Sequence, residues 1–258
     1  MTDYDGFRLE RDETRPVATI TLDVPGKLNR VSMAARGQLA SLFAELAADE
    51  AIRVVVITGA GDAFTAGGDI AGFLDVDPQG LSGLAFNVAA PERCPKPVIA
   101  KLRGYTFGVG FELALACDFR IAADDVELGL PEIKLGMMPG SGGTQRLARL
   151  IGLGRAKDAV LRGRRIPAAE ALSLGLVTEV VPPGELDAAV DSLIDELTAL
   201  SPLALAMAKR VLNHAYDGPL QLGLEIEGLA YGILRSTHDY KEGIDAFFAK
   251  RPPRFEGR

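Results

Sequence analysis

Residues 54–70 read VVVITGAGDAFTAGGDI, an apolar β-branched run followed by two groups of glycines. The run has the pattern of a buried strand, and the glycines after it resemble the opening of a dinucleotide-binding turn. Such a turn needs glycines at fixed offsets: one for the bend, one for approach of the pyrophosphate, one for helix packing. Here Gly59 and Gly61 are followed by Asp62, Ala63, Phe64 and Thr65, so the later glycines are missing. A dinucleotide strand normally opens its chain, whereas this one follows a complete strand–helix unit. The Tyr and Lys pair of short-chain dehydrogenases is missing too. The residues four after Tyr4, Tyr105, Tyr216, Tyr231 and Tyr240 are Arg8, Val109, Leu220, Arg235 and Ile244. Gly59 and Gly61 therefore read as the end of a strand, and attention moves to the second group, Gly67 and Gly68.

Working outward, Val17 to Leu22 alternates and is β-branched, which predicts a strand. Leu39, Leu42, Phe43 and Leu46 recur at helical spacing and predict an amphipathic helix over 33–48. Arg53 to Thr58 and Pro97 to Leu102 predict buried strands, and residues 72–92 a mobile helical or irregular segment. The glycine cluster GYTFGVG leads into a helix, FELALACD, and then a strand, FRIAA. Val126 to Met138 reads strand, Pro-Glu, turn, and a helix opens at Ser141. Two short helical stretches surround Pro167. A long amphipathic helix carries Leu186, Val190, Leu193, Ile194, Leu197 and Leu200; Pro202 starts the next, and 220–250 is largely helical. Paired strands alternating with helices, followed by helices alone, define an α/β body with a C-terminal helical region. We place the division at 1–195 and 196–258.

The chain of 258 residues is 48% hydrophobic and 24% charged, with a formal charge of −7, which disfavours nucleic acid and acidic membranes as partners. Basic clusters (Arg162, Arg164, Arg165; Lys209, Arg210; Lys250, Arg251, Arg254) read as solvated surface or as contacts for a phosphorylated small molecule. Cys94 and Cys117 give neither a disulfide framework nor metal spacing, and His214 and His238 lie far from every glycine-rich segment. Zinc and histidine-triad chemistry are poorly supported. The acidic, polar N-terminus shows no signal peptide, and no apolar run reaches the roughly 18 residues of a membrane span. A cytoplasmic protein without metal or redox cofactor is expected.

What remains is backbone donors and acids. Ala66-Gly67-Gly68-Asp69 and Gly108-Val109-Gly110 are tight turns without bulky polar side chains, the second directly before a helix. Two N–H groups converging from such turns would form an oxyanion hole; alone, either is an ordinary strand-to-helix turn. Glu112 lies one helical turn after Val109, among Phe111, Leu113, Ala114 and Leu115, and Glu132 follows Pro131 between apolar residues. Apolar surroundings raise a carboxyl pKa toward the range useful for acid–base work, although either Glu taken alone reads more readily as a surface or salt-bridged residue.

Together, AFTAGGDI (63–70), GYTFGVGFELALACDFRIAADD (104–125), LGLPEIKLGMMPGSGGTQRLARLIG (128–152) and AAEALSLGLVTEVVP (168–182) resemble the enoyl-CoA hydratase/isomerase (crotonase) superfamily. They occur in that family's order and spacing, and the likeness extends through the KEGIDAFFAKRPPRF tail. The resemblance implies a right-handed spiral of strand–strand–helix units, with C-terminal helices that make homotrimers, often paired into hexamers. It implies an acyl-coenzyme A thioester as substrate, with coenzyme A part of that substrate and no separate cofactor. Oxyanion donors map to the N–H groups of Gly68 and Val109, and the hydratases' catalytic glutamates to Glu112 and Glu132. The coenzyme A site maps to Lys27, Leu28 and Asn29 and to Ala66, Gly67, Asp69 and Ile70. The tail from Phe247 to Phe255 would reach the coenzyme A of a neighbouring subunit.

Two departures stand out. Many relatives have Ala at the position of Gly68 and Gly at that of Val109, and Phe111 is bulkier than is common; the backbone donors survive these changes, while the pocket narrows. The activity implied is reversible hydration of a 2-enoyl-CoA, as in fatty-acid β-oxidation, with Glu112 activating water and Glu132 delivering a proton. Isomerisation, thioester hydrolysis and ring chemistry are the alternatives within the family. Isomerases commonly need one acid, so the retention of both favours hydration.

Overall fold

The computed structural model describes residues 2–73 and 76–258; Leu74 and Asp75, within the segment expected to be helical or irregular, lie outside the described residues. Among the described residues ten strands form two sheets: β1 (Thr2–Tyr4), β2 (Phe7–Arg11), β3 (Val17–Leu22), β4 (Val54–Gly59), β5 (Val98–Leu102), β6 (Tyr105–Phe107), β7 (Phe119–Ala123), β8 (Glu127–Gly129), β9 (Arg165–Pro167) and β10 (Glu179–Val181). The larger sheet has the order β1-β2-β3-β4-β5-β7-β10, and the smaller the order β6-β8-β9. β1, β2 and β3 form an antiparallel meander, and from β3 to β10 the large sheet is parallel. Successive passes of the chain visit the large sheet, then the small one, then a helix: β5, β6 and Val109–Ala116; β7, β8 and, past a turn, Gly143–Ile151. This is the expected spiral of strand–strand–helix units.

The parallel strands read as continuous apolar runs because both faces are covered. Alternate residues of β4 go to opposite cores: Val55 and Ile57 to the space between the sheets, Val54 and Val56 to the outer face. β5 divides likewise, with Val98, Ala100 and Leu102 inward and Ile99 outward. The outer face is closed by the helix Leu186–Thr198 through Leu186, Val190, Ile194 and Leu197, at spacings of four, four and three residues. That helix packs on the strands of the body and runs through position 195. The helices Pro202–Asn213, Leu220–Arg235 and His238–Ala249 follow it.

The expected helix is present as Met33–Ala48, capped by the Ser32 hydroxyl, which accepts from the Ala35 N–H at 2.9 Å. Where the sequence reading fell short, the elements are short. β6 lies inside what read as a plain glycine cluster, and β1, β2, β9 and β10 are three to five residues long. Their pairing comes from neighbouring strands rather than from local pattern. The segment 72–92, expected to be helical or irregular, is largely helical: among the described residues it carries the short helices Pro78–Ser82, Leu84–Val88 and Ala90–Arg93. The basic clusters are largely taken up in ion pairs: Arg162 and Arg164 with Asp158, Arg164 with Glu170, Arg165 with Glu127, Lys209 with Asp118 and Arg251 with Glu242. Cys94 and Cys117 are buried free thiols, and burial pushes that of Cys117 up to about 12.

Asn29 ties the loop after β3 to the segment after β4. Its buried side-chain oxygen accepts from the Val24 N–H at 3.1 Å, and its Nδ2 donates to the carbonyls of Ala60 and Ala63 at 2.9 Å each. Leu28 and Asn29 both have φ near +50°, a conformation Asn tolerates better than most residues. Asn29→Ala is expected to destabilise the fold by about 1–3 kcal/mol, because it leaves buried groups unpaired. A lowered urea midpoint at unchanged slope would show it.

Candidate active site

Segments from both sheets converge on one cavity of about 240 Å³. Its position follows from a single backbone pairing. Thr65 forms an isolated parallel bridge with Thr106 of β6: the Phe107 N–H donates to Thr65 O at 3.1 Å, and the Thr65 N–H to Tyr105 O at 2.9 Å. Carried forward residue by residue, that register sets Gly67 beside Gly108 and Gly68 beside Val109. The side-by-side approach is close, since a Cβ on Gly108 would stand 3.8 Å from the Gly67 Cα and 3.1 Å from Glu132 Oε1. Gly67 and Gly108 both have positive φ, +115° and +54°, so each turn bends sharply just before the residue whose N–H matters.

A count of donors identifies those N–H groups. In the first turn, the Ala66 N–H donates to Leu28 O, the Gly67 N–H to Thr65 Oγ1 and the Asp69 N–H to Val31 O. The Gly68 N–H has no acceptor among the described residues. In the second turn, the Phe107 and Gly108 N–H groups are taken by Thr65 O and Gly129 O. Val109 begins the helix Val109–Ala116, where the first N–H groups have no intrahelical partner, and Gly108 supplies no capping side chain. Its N–H likewise has no acceptor among the described residues. Both residues line the cavity, and the helix dipole adds positive potential there.

Two carboxyls border the same cavity. Glu112, on the first turn of that helix, is 2% exposed. Its Oε1 accepts from the Ser141 N–H at 2.7 Å and the Gly143 N–H at 2.9 Å. Burial raises its pKa, opposed by those two N–H groups and by the Arg36 charge. Glu132 sits in the turn Pro131–Leu135, half-buried, and its Oε2 has no hydrogen-bond partner among the described residues. Burial first, and then the neighbouring Glu112 charge, push its carboxyl up to about 7, with its own backbone N–H and Arg36 acting in the other direction. Both carboxyls thus titrate above the ordinary range, Glu112 because of burial and Glu132 because of burial and the Glu112 charge beside it.

Of the residues expected at the site, Ala66, Gly67, Gly68, Ile70, Val109, Glu112 and Glu132 all line the cavity. Lys27, Leu28 and Asp69 stand outside it. Leu28 is half exposed and joined to Ala66 by a backbone bond, Lys27 is exposed beside it, and Asp69 is tied to Val31. The sequence reading missed Ser141 and Gly143, whose N–H groups hold Glu112, and Arg36, a 3% exposed cation lining the cavity. Arg36 was within reach of the pattern: it lies three residues before Leu39, on the core-facing side of its helix. The Gly-rich run before the helix Gly143–Ile151 signalled donors as well. The remaining wall is apolar, from Leu81, Leu84, Leu135, Met137 and Met138. Among the described residues no cluster of His, Cys, Asp or Glu could hold a metal ion, and no helix is long and apolar enough to cross a membrane.

The sequence and the fold are similar to those of known enzymes. Residues 12–258 match the model of the enoyl-CoA hydratase/isomerase family. The chain is 40% identical to 2,3-dehydroadipyl-CoA hydratase of Escherichia coli, over 94% of this chain and 96% of that protein. It is 35% identical to short-chain-enoyl-CoA hydratase of Clostridium acetobutylicum, over 91% and 92%. The crystal structure of an enoyl-CoA hydratase from Bacillus anthracis superposes with a TM-score of 0.92 at 37% identity, covering 98% of this chain and all of that one. The fold is thus that of the crotonase-type enzymes. The chain belongs to the enoyl-CoA hydratase/isomerase family.

The raised carboxyl of Glu132 has a stability consequence. Its folded-state pKa lies above its unfolded value, so the native state binds the extra proton, and stability falls as pH rises from about 4.5 to about 7. Glu132→Gln removes that contribution. Relative to the native chain, the variant is expected to gain stability between pH 5 and about 8. Urea midpoints at the two ends of that range measure the gain.

Proposed function

We propose that this enzyme adds water reversibly across the 2,3 double bond of a 2-enoyl-CoA thioester to give a 3-hydroxyacyl-CoA. The carrying observation is the meeting, at one cavity, of two carboxyls and two unengaged N–H groups. The Gly68 and Val109 N–H groups bind the thioester oxygen as negative charge develops on it, which makes C3 electrophilic; a donor of this kind is worth about 10²–10³ in rate. Glu112, ionised and oriented by Ser141 and Gly143, takes a proton from water as its oxygen bonds to C3. Glu132, whose carboxyl holds its proton into the neutral range, delivers that proton to C2. One O–H and one C=C π bond break, one C–O and one C–H bond form, and no electrons are exchanged with a redox partner. Coenzyme A is part of the substrate, and no further cofactor is required by this chemistry. The apolar wall of Leu81, Leu84, Leu135, Met137 and Met138 suits an aliphatic acyl tail. Lys27, Leu28 and Asp69 are proposed to meet the coenzyme A moiety outside the cavity, and Ala66, Gly67 and Ile70 to meet it at the cavity wall. The hydratases among the relatives support this reading.

Glu112→Gln and Glu132→Gln are each expected to lower hydration of crotonyl-CoA by about 10²–10⁴ while leaving coenzyme A binding intact. Loss of the conjugated thioester absorbance follows the reaction, and normal turnover in either variant would refute the assignment.

We further propose that the division of the chain near 195 separates a catalytic body from an assembly region that forms a homotrimer or a dimer of trimers. The helix Leu220–Arg235 buries no residue within the chain, and Leu220, Leu229, Phe247 and Phe248 are all more than 70% exposed. An apolar surface of this kind calls for a partner. Sedimentation should give three or six times the 27.3 kDa chain mass, and Leu229→Glu should lower it. A native mass of one chain would contradict the proposal.

A further inference from the structure

Glu112 is held by a turn, and something must hold the turn. The N–H groups of Ser141 and Gly143 reach Glu112 Oε1 only if residues 141–143 keep their bend, which places Gly142 at φ +102°. Three observations show what fixes it. Arg146 Nη1 donates to the Ser141 carbonyl at 3.2 Å, on the far side of the residue whose N–H meets Glu112. The guanidinium also fills the space against Gly142, where a Cβ would stand 2.0 Å from Nη1. On its other edge, Arg146 Nε donates to Glu92 Oε2 at 2.9 Å, and Nη2 reaches the same oxygen. Glu92 lies on the helix Ala90–Arg93, and its carbonyl accepts from Asn213 Nδ2 at 2.9 Å.

We propose that Arg146, anchored by Glu92, is a positioning residue for Glu112: it clamps the Ser141–Gly143 turn and through it orients the carboxylate toward the cavity. The proposal rests on the reading of Glu112 as the group that activates water. Arg146 does not line the catalytic cavity; it borders a separate open groove of about 770 Å³ on the outer side. It therefore acts through Ser141 and does not touch substrate.

The ion pair alone would contribute little to stability, since Glu92 is about one-third exposed. The consequence lies in the chemistry. A carboxylate misplaced by about 1 Å can lose about 10² in rate. Losing the two N–H donors also removes stabilisation of the ionised form, so the Glu112 pKa rises further. The acidic limb of the pH–rate profile then moves to higher pH. The other charges facing Glu112 are Arg36, from the helix Met33–Ala48, and Glu132, from the turn Pro131–Leu135. Arg93, Arg149, Lys209, Arg210 and His214 border the groove around Arg146, and the Lys209 charge is paired with Asp118. None of these groups is altered in the test.

Crotonyl-CoA hydration is measured from about pH 5 to 9 for the native chain and for Arg146→Met, Arg146→Lys, Glu92→Gln and Glu112→Gln. Arg146→Met is expected to lower kcat about 10²-fold with KM nearly unchanged, and to shift the acidic limb upward. Arg146→Lys keeps the charge without the fork and should recover part of the rate and of the limb. Glu92→Gln should fall between the native chain and Arg146→Met. A native rate and limb in Arg146→Met, or an equal loss at every pH, overturns the proposal. Should Arg146→Met fail to fold, native profiles in both Arg146→Lys and Glu92→Gln overturn it. If Glu112→Gln itself turns over normally, the assignment of Glu112 fails, and the proposal with it. An inactive Glu112→Gln beside a normal Arg146→Met instead rejects the clamp alone.

Discussion

The site depends on one pairing of backbones, Thr65 against Thr106. It is a bridge of two residues, outside any long strand, and it joins the end of the β4 unit to the start of the next. Its two hydrogen bonds set the register in which Gly67 meets Gly108 and Gly68 meets Val109. Because the pairing is parallel, both turns leave their strands in the same direction and open on the same side. Two donors from segments 41 positions apart in the chain thereby face one cavity. The flanking large sheet, with cores on both faces, gives these turns a rigid support.

Electrostatics within the cavity follow from burial. Removing two carboxyls from water is unfavourable to their charged forms, and both respond by titrating higher. The fold offsets this unevenly. Glu112 receives two backbone N–H groups, whereas Glu132 has an oxygen without a partner among the described residues. Arg36 favours ionisation of both. One carboxyl is thus equipped to be charged and the other to carry a proton. That asymmetry matches the base and acid roles proposed for them.

Much of this was legible from the chain. The strand Val17–Leu22 and the helix Met33–Ala48 follow from period-two and period-3.6 patterns. Four motifs in register pointed to the family. Glu112 stood out as a carboxyl in apolar company one turn from a glycine bend. β1, β2, β9 and β10 were hidden because three to five residues carry too little period, and β6 was masked by the glycines around it. Arg36 was overlooked because a charge on a core-facing helix position conflicts with the pattern that reveals the helix. Ser141 and Gly143 act through backbone N–H groups, which leave no side-chain signature. Their part in holding Glu112 emerges only when a loop 29 positions away folds back on it.

Polarisation of a bound thioester by the Gly68 and Val109 N–H groups is the central claim, and vibrational spectroscopy reads it directly. A 2-enoyl-CoA carrying a carbon-13 label at its carbonyl would be bound to the Glu112→Gln variant, which should hold it without turnover. Infrared difference spectra should show the carbonyl stretch at lower frequency than in water, because two converging donors lengthen the C=O bond. A bound thioester whose carbonyl stretch stays at its aqueous frequency would contradict the account.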